Sequence, residues 1–221
     1  MTRPHEDLER HSPTDHRPGG APIQFPPGAW CAIDIVNVRA NRMNAGISTY
    51  ETLIEKARTS STRARAGAVL RSVNHRHVIA ILEIEGHEAF RHLQSAWDDH
   101  HLNADRHAVA ESSTLGFYRL TTCAGAAALD PATKDAYAFE HVARGPERAR
   151  PLITAIAAAE GFRGALVFGA DDESASAIIY RFTRATAFDT FRWSAAARQV
   201  LGPVGASGEA AVPAHPVRTF G

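Results

Sequence analysis

The sequence predicts an α+β protein in which one folding unit of strands and helices occurs twice. An apolar run at 79–84 leads into a helical stretch that opens on an Ala-Phe pair at 89–90, and a similar run at 178–182 leads into an Ala-Phe pair at 187–188, 98 positions further on. A repeat of this length is a whole supersecondary unit rather than a solenoid module. Both runs are almost continuously apolar, which is typical of strands that are buried on both faces.

The first copy has the order strand, helix, strand, strand, helix, strand. Ser48 stands three residues before Glu51, which is a capping-box pattern and predicts the start of the first helix. Gly86 separates the hairpin from the second helix, because glycine interrupts regular structure. The predicted elements are a strand at 30–39, a helix from 48, a hairpin of strands at 68–73 and 78–85 with its turn at 74–77, a helix at 87–103 and a strand at 115–122.

The second copy repeats this order after a linker of small residues that contains Pro131. Pro146 follows Gly145 at a predicted helix start, where proline is well tolerated. Pro213 and Pro216 would confine the last strand to a sheet edge, because proline cannot donate to a strand ladder. The predicted elements are a strand at 136–143, a helix from 146, strands at 165–168 and 177–182, a helix at 187–201 and a strand at 215–220.

The repeated β-α-β-β-α-β order predicts two fused ferredoxin-like units packed sheet to sheet as an α+β barrel. One unit alone would expose an apolar sheet face, which its duplicate or a dimer mate has to cover. We therefore expect a disordered N-terminal tail at 1–28, a first unit at 29–124, a linker at 125–134 and a second unit at 135–221.

Composition excludes several classes of protein. The chain of 221 residues has 24 basic and 24 acidic residues, so no basic face and no nucleic-acid partner are indicated. No apolar stretch approaches the roughly 20 residues of a membrane span. The two cysteines, Cys31 and Cys123, exclude a disulfide scaffold and a CxxC metal motif. The polar N-terminus lacks the apolar segment of a secretory signal, so we expect a cytoplasmic protein.

An indole and an imidazole side chain share the inward face of the helix predicted at 87–103. Trp97 and His101 are four positions apart, so both can line the space between helix and sheet. His100 flanks this face and takes the place of His101 if the helix is rotated slightly. The alternative for Trp97 is a purely structural core residue, and for His101 a half-buried histidine whose hydrogen bonds are satisfied.

Asn37 and Asp34 are polar residues inside the otherwise apolar first strand. A buried amide must be hydrogen-bonded or it costs a few kcal/mol. Asn37 can therefore hold a substrate oxygen, or it can simply cap the strand end. Asp34 can likewise be functional or structural, and its functional interpretation is a carboxylate base or a substrate contact.

The predicted hairpin adds further candidates. His75 and His77 form an H-x-H pair, but no third ligand is near in the sequence, so we predict no metal site. His77 lies nearer the strand and is the better pocket candidate. Arg71 and Tyr118 lie on neighbouring predicted strands and can donate to a carbonyl or phenolate, or they can be edge and interface residues.

The chain resembles the dimeric α+β-barrel superfamily, and within it the antibiotic biosynthesis monooxygenases. The resemblance is carried by the paired units, by the hairpin that runs from 67–71 to Ile84, and by the helix 89–93 with Ser95 and His100 beyond it. The resemblance implies an oxidoreductase that oxidises a small aromatic polyketide, such as an anthrone or an angucycline, with O₂. Some members need no cofactor, and ring-opening relatives use reduced flavin, which a flavin reductase would supply. Others bind haem, or are non-oxidative cyclases and isomerases.

The first half is rich in histidine and the second is not, so we expect one active pocket in the first half, with the second half as scaffold. A haem-dependent enzyme on the same fold and a non-catalytic binding or cyclase-like pathway protein are the alternatives, and a homodimer stays possible. We expect His101 or His77 as the base, Asn37, Arg71 and Tyr118 as oxyanion donors, Trp97 as a wall, and His100 and Asp34 as substrate contacts.

Overall fold

The computed structural model of the chain describes residues 19–59, 64–98, 100–142, 146–192, 194 and 211–221. The side chains of 98, 100–103, 148–150 and 192 are not described. Within these limits no helix has both the length and the apolar character that crossing a bilayer requires.

Eight strands and five α-helices make up the described part of the chain, in the order that the sequence predicts with one helix divided in two. A 3₁₀ turn at Pro146–Arg148 precedes the fourth helix. The elements are β1 (Trp30–Val38), α1 (Met43–Thr59), β2 (Gly67–Ser72), β3 (His77–Ile84), α2 (His87–Asp98), α3 (His100–Val109), β4 (Ala110–Gly125), β5 (Ala136–Val142), α4 (Ala149–Ala157), β6 (Phe162–Ala170), β7 (Ser176–Phe182), α5 (Ala185–Arg192) and β8 (Val212–Phe220).

The strands form a closed antiparallel barrel in the order β1-β3-β2-β8-β5-β7-β6-β4. Each half of the chain contributes a four-stranded sheet with the ferredoxin-like order, β4-β1-β3-β2 from the first half and β8-β5-β7-β6 from the second. The two sheets join where β2 pairs with β8 and where β4 pairs with β6. The predicted α+β barrel of two ferredoxin-like sheets is confirmed.

The core has three parts, because most barrel strands bury side chains on both faces. Inward side chains such as Ile33 and Leu70 fill the lumen together with residues of the second half. Outward side chains of the first sheet pack under α1 and α2, and we call this the first helix layer; its central residues are Val36, Tyr50, Leu53, Val78, Leu82, Leu93, Trp97 and Phe117. The equivalent second helix layer contains Ala138, Ile153, Ile156, Ile178, Tyr180, Phe182 and Phe188.

Part of the predicted tail belongs to this core. Ile23 and Phe25 are only 6% and 3% exposed and pack in the lumen cluster, where the Phe25 ring meets Phe168 edge to face at 6.0 Å. Ile23 also exchanges backbone hydrogen bonds with Leu129. The segment 19–28 is therefore folded, whereas 1–18 lie outside the described residues.

The last strand is longer than predicted and is not at a sheet edge. Pro216 pairs with β2 next to a register shift, and Pro213 pairs with β5. The two prolines are tolerated because each lies in a part of β8 that pairs mainly on one side: β5 pairs only with 212–214, and β2 pairs with 214–220.

Candidate active site

A carboxyl group is buried in the first helix layer. Asp34 has no exposed surface. The Tyr50 hydroxyl donates a hydrogen bond to Asp34 Oδ2 at 2.7 Å, and Arg106 Nε lies 3.6 Å from the same oxygen. The Arg106 guanidinium also donates to Ser113 Oγ. A carboxyl group, a phenol and a guanidinium thus meet beneath the helices.

Strand alternation and helix periodicity bring these groups together. Successive residues of β1 face opposite sides of the sheet. Cys31 and Ile33 point into the lumen, so Asp34 points to the helices, between Ala32 and Val36 of the first helix layer. Tyr50 lies on the buried stripe of α1.

The electrostatics of this group are set mainly by its burial. Burial raises the pKa of Asp34, while the Tyr50 hydrogen bond and the Arg106 charge act in the opposite direction. Burial, followed by the charge of Asp34, raises the pKa of Tyr50, so this side chain remains a neutral donor. The arrangement holds a carboxyl group whose proton affinity is higher than that of an exposed aspartate.

One oxygen of the Asp34 carboxyl group has no hydrogen-bond partner among the described residues. Asp34 Oδ1 is buried and accepts no hydrogen bond from any residue that the structure describes. A buried acceptor without a partner costs about 1–3 kcal/mol. Such an atom in a native fold requires an explanation, and a ligand that donates a proton or a hydrogen bond is one.

Aromatic side chains surround this carboxyl group. Trp97 is 4% exposed, meets the Tyr50 ring nearly perpendicularly at 6.1 Å, and lies 5.9 Å beneath the Arg106 guanidinium carbon. Elsewhere in the layer the Phe117 ring stacks on Trp30 at 4.7 Å and on Phe90 at 4.9 Å. Stacked aromatic side chains thus form part of the first helix layer.

A surface cleft lies between α1 and α3 beside this cluster. Its volume is about 300 Å³, and its lining residues are Ser48, Thr49, Thr52, Leu53 and Asp105. Thr49 adjoins Tyr50 along α1, and Asp105 adjoins Arg106 along α3. The cleft is hydroxyl-rich, so it suits a polar part of a ligand.

The residues predicted for the site do not all lie in one place. Asp34 and Trp97 both belong to the first helix layer, and Tyr50 and Arg106 connect them. His100 and His101 begin α3, but their side chains lie outside the described residues.

Three other candidates lie on the lumen side of their strands, by the alternation of side chains. Asn37 pairs in register with His77, is exposed, and donates to Ser112 Oγ at 2.8 Å. Tyr118 lies six residues beyond Ser112 on β4, about 20 Å away at the rise of an extended strand. Its hydroxyl contacts His141 Nε2 of the second half at 3.1 Å. The barrel wall thus separates Asn37, His77 and Tyr118 from Asp34.

Arg71 is on the outer face of β2, next to the C-terminal residue of that strand. It pairs with Val78 of β3 and with His215 of β8. Burial and the Arg71 charge lower the pKa of His215. Its pairing with His215 places Arg71 at the junction with the second half, away from the Asp34 cluster.

Sequence reasoning missed Tyr50 and Arg106. Tyr50 fits the apolar stripe of α1, so its pattern indicates only core packing. Arg106 follows the end of the helix predicted at 87–103, which is in fact α2 and α3. A useful signal was the presence of an aspartate in an apolar strand, because a buried carboxyl requires donors from neighbouring elements.

A metal ion or a haem needs protein ligands such as imidazole, thiolate or carboxylate groups. Among the described residues, no three His, Cys, Asp or Glu side chains are grouped as metal ligands. His87 packs on Phe117 at the edge of the first helix layer, but it is 59% exposed and pairs with Asp171 at 3.4 Å. The described part of the layer therefore offers no buried imidazole as an axial haem ligand.

Solved structures with the same fold are found despite low sequence identity. The crystal structure of an anthrone oxidase-like protein matches with a TM-score of 0.70 and 13% identity, covering 90% of this chain and 95% of that chain. A proposed monooxygenase from Fusobacterium nucleatum matches at 0.57 and 9% identity, covering 88% and 95%. One from Lactobacillus acidophilus matches at 0.52 and 10% identity, covering 87% and 95%.

At these identities the similarity concerns the fold. No family model matches the chain, and no curated protein matches it. The chain shares its fold with proteins named for anthrone oxidation and monooxygenation, which is the fold that the resemblance implied.

Proposed function

We propose that the first helix layer is the active site of an oxygenase that uses O₂ to oxidise a phenolic polyketide-type ring system, such as an anthrone. The observation that carries this proposal is the buried carboxyl of Asp34, whose Oδ1 is free of described hydrogen bonds inside an aromatic layer. The shared fold with an anthrone oxidase-like protein supports the substrate class.

Asp34 acts as the general base in this reaction. A base is most effective when its pKa lies near the working pH, and burial moves the pKa of Asp34 upward from that of an ordinary aspartate. The Tyr50 hydroxyl occupies Oδ2, so Oδ1 is the atom that takes the proton from the substrate. Arg106 supplies positive charge beside the site as the substrate becomes an anion.

The steps balance with O₂ as the only oxidant. The ring CH₂ of the anthrone gives one proton to Asp34, and the resulting phenolate-type carbanion passes an electron to O₂. The two radicals join in a C–O bond, and the peroxide takes the proton back from Asp34. Loss of the second ring proton then breaks the O–O bond, which leaves a quinone carbonyl and one water molecule. A dry layer favours this sequence because water would compete for the carbanion.

The proposed oxygenase could work without a cofactor, with reduced flavin or with haem. When bound, reduced flavin would supply the two extra electrons that hydroxylation of a ring by O₂ requires, and a flavin reductase would then be a partner. No contact among the described residues favours flavin, and the layer offers no described axial ligand for haem. Asp34 can serve as the base without either group, and His101 is a second candidate base.

Oxygen uptake with 1,8-dihydroxyanthrone tests the proposal. We expect uptake above the spontaneous rate, one labelled oxygen from ¹⁸O₂ in the quinone, and loss of at least 100-fold in kcat for Asp34→Asn, because general bases contribute about 10²–10⁴-fold. Glu160→Gln, which removes a carboxylate from the surface of the second half, is the control and should retain turnover.

Parallel runs with reduced flavin and an absorption spectrum of the purified protein separate the cofactor variants. A Soret band in the purified protein would favour the haem-dependent alternative. Binding of the anthrone without any enzymatic uptake, with or without reduced flavin, would favour a non-catalytic binding protein. Full activity of Asp34→Asn would rule out the base assignment.

A further inference from the structure

The second half of the chain carries a carboxylate at the position equivalent to Asp34. Asp34 pairs with Ala80 between β1 and β3, and Glu140 pairs with Ile178 between β5 and β7. Ala80 and Ile178 are 98 positions apart, which is the spacing of the repeat. Because the two strand pairs occupy the same places in their sheets, Glu140 is the structural counterpart of Asp34.

Glu140 also receives a hydrogen bond from a buried phenol. Tyr180, 1% exposed, donates from its hydroxyl to Glu140 Oε2 at 2.7 Å, the same distance as in the pair Tyr50–Asp34. Burial, and then the charge of Glu140, raises the pKa of Tyr180, so it remains a donor. Each helix layer therefore contains one carboxyl group held by one tyrosine.

The two tyrosines are not copies of one ancestral residue. Tyr50 comes from helix α1, whereas Tyr180 comes from strand β7. The counterpart of Tyr180 at the repeat spacing of 98 is Leu82. The same pair of chemical groups thus arises at equivalent places from different elements.

The surroundings of Glu140 suit a planar ligand. The Phe188 ring lies 5.6 Å from the Tyr180 ring and 5.5 Å from the Phe182 ring. Phe188 stands at the repeat spacing from Phe90, which stacks in the first helix layer. Glu140 is partly exposed, whereas Asp34 has no exposed surface.

We propose that the second helix layer is a second binding site for a planar phenol, whose hydroxyl donates to the Glu140 carboxylate beside Phe188. The inference rests on the proposed function, from which it takes the ligand class. It concerns binding only. It differs from the expectation, based on the uneven distribution of histidine, that the second half is only a scaffold.

Counting bound equivalents of 2-naphthol by equilibrium dialysis under nitrogen tests the inference. This probe is a planar phenol, and the absence of O₂ prevents turnover. We expect two equivalents per chain for the native protein and one for either Asp34→Asn or Glu140→Gln, with a Kd at the altered site raised at least tenfold. Circular dichroism and thermal unfolding of each variant check that it is folded.

The outcomes separate this inference from the proposed function. One equivalent in the native protein, lost in Asp34→Asn and kept in Glu140→Gln, would overturn the second site and leave the first intact. One equivalent lost only in Glu140→Gln would support the second site and count against the first. No binding at all would count against both. The stoichiometry of the native protein decides the question even if Glu140→Gln fails to fold.

Discussion

Replacing Tyr50 by phenylalanine tests whether the carboxyl group of the first helix layer depends on its phenol. The variant keeps the ring and its packing against Trp97 but removes the hydroxyl that donates to Asp34 at 2.7 Å. Tyr180→Phe is the matched control, because it removes the hydroxyl that donates to Glu140 at the same distance.

The two substitutions should differ in cost because the two acceptors differ in exposure. Asp34 has no exposed surface, so water cannot replace the lost donor. A hydrogen bond to an ionised group contributes about 1.5–3 kcal/mol, and an ordinary one about 0.5–1.5 kcal/mol. Glu140 is partly exposed and can be hydrated instead. We expect Tyr50→Phe to lower the free energy of unfolding by about 2–3 kcal/mol and Tyr180→Phe by about 1 kcal/mol.

The cost of Tyr50→Phe should also depend on pH. Burial raises the folded-state pKa of Asp34, so Asp34 contributes stability that is present below its unfolded pKa and is lost as the pH rises through its folded pKa. The Tyr50 hydrogen bond acts against this rise in pKa. Its removal raises the folded-state pKa further, so the variant loses more stability than the native protein as the pH increases.

Urea unfolding of the native protein and both variants at pH 4, 6 and 8 measures these effects. The difference between native protein and Tyr50→Phe should grow from pH 4 to pH 8, with unchanged slopes. The reasoning is refuted if the loss is the same at all three pH values, or if Tyr180→Phe is the more costly change.

Three further outcomes are expected. Asp34→Asn should gain stability relative to the native protein as the pH rises from 4 to 8 in the same urea series, because the amide does not ionise in the core; a constant difference would contradict a raised pKa of Asp34. Phe25→Ala should lower the free energy of unfolding by about 3–4 kcal/mol, since Phe25 is 3% exposed against Phe168; a loss below about 1 kcal/mol would place 19–28 outside the core. One thiol, that of exposed Cys123, should react with Ellman's reagent in the folded chain and two in urea, because burial raises the pKa of Cys31; rapid reaction of both would contradict this packing.

The order of elements was predictable because it depends on local patterns. The spacing of 98 between the two apolar runs reappears in the structure as the equivalent register of Ala80 and Ile178. Asp34 and Trp97 were identifiable as site candidates because an acidic residue in an apolar strand and an aromatic residue on a helix face both stand out from their neighbours. They lie in the same helix layer.

Other features depend on contacts between distant parts of the chain. Ile23 and Phe25 follow a long polar stretch, and their partners Leu129 and Phe168 are more than 100 residues away. Arg106 reaches Asp34 only because α2 and α3 are separate helices, so a single helical wheel does not apply to it.

The sequence by itself determined the duplicated β-α-β-β-α-β order and the alternation of side chains along each strand. The tertiary structure decided which of the two alternating sets faces the lumen and which faces the helices. Alternation cannot decide this, because most of these strands bury side chains on both faces, so both sets contain apolar residues. For that reason Asp34 and Trp97 came to share a layer, while Asn37, His77 and Tyr118 lie on the other side of the barrel wall.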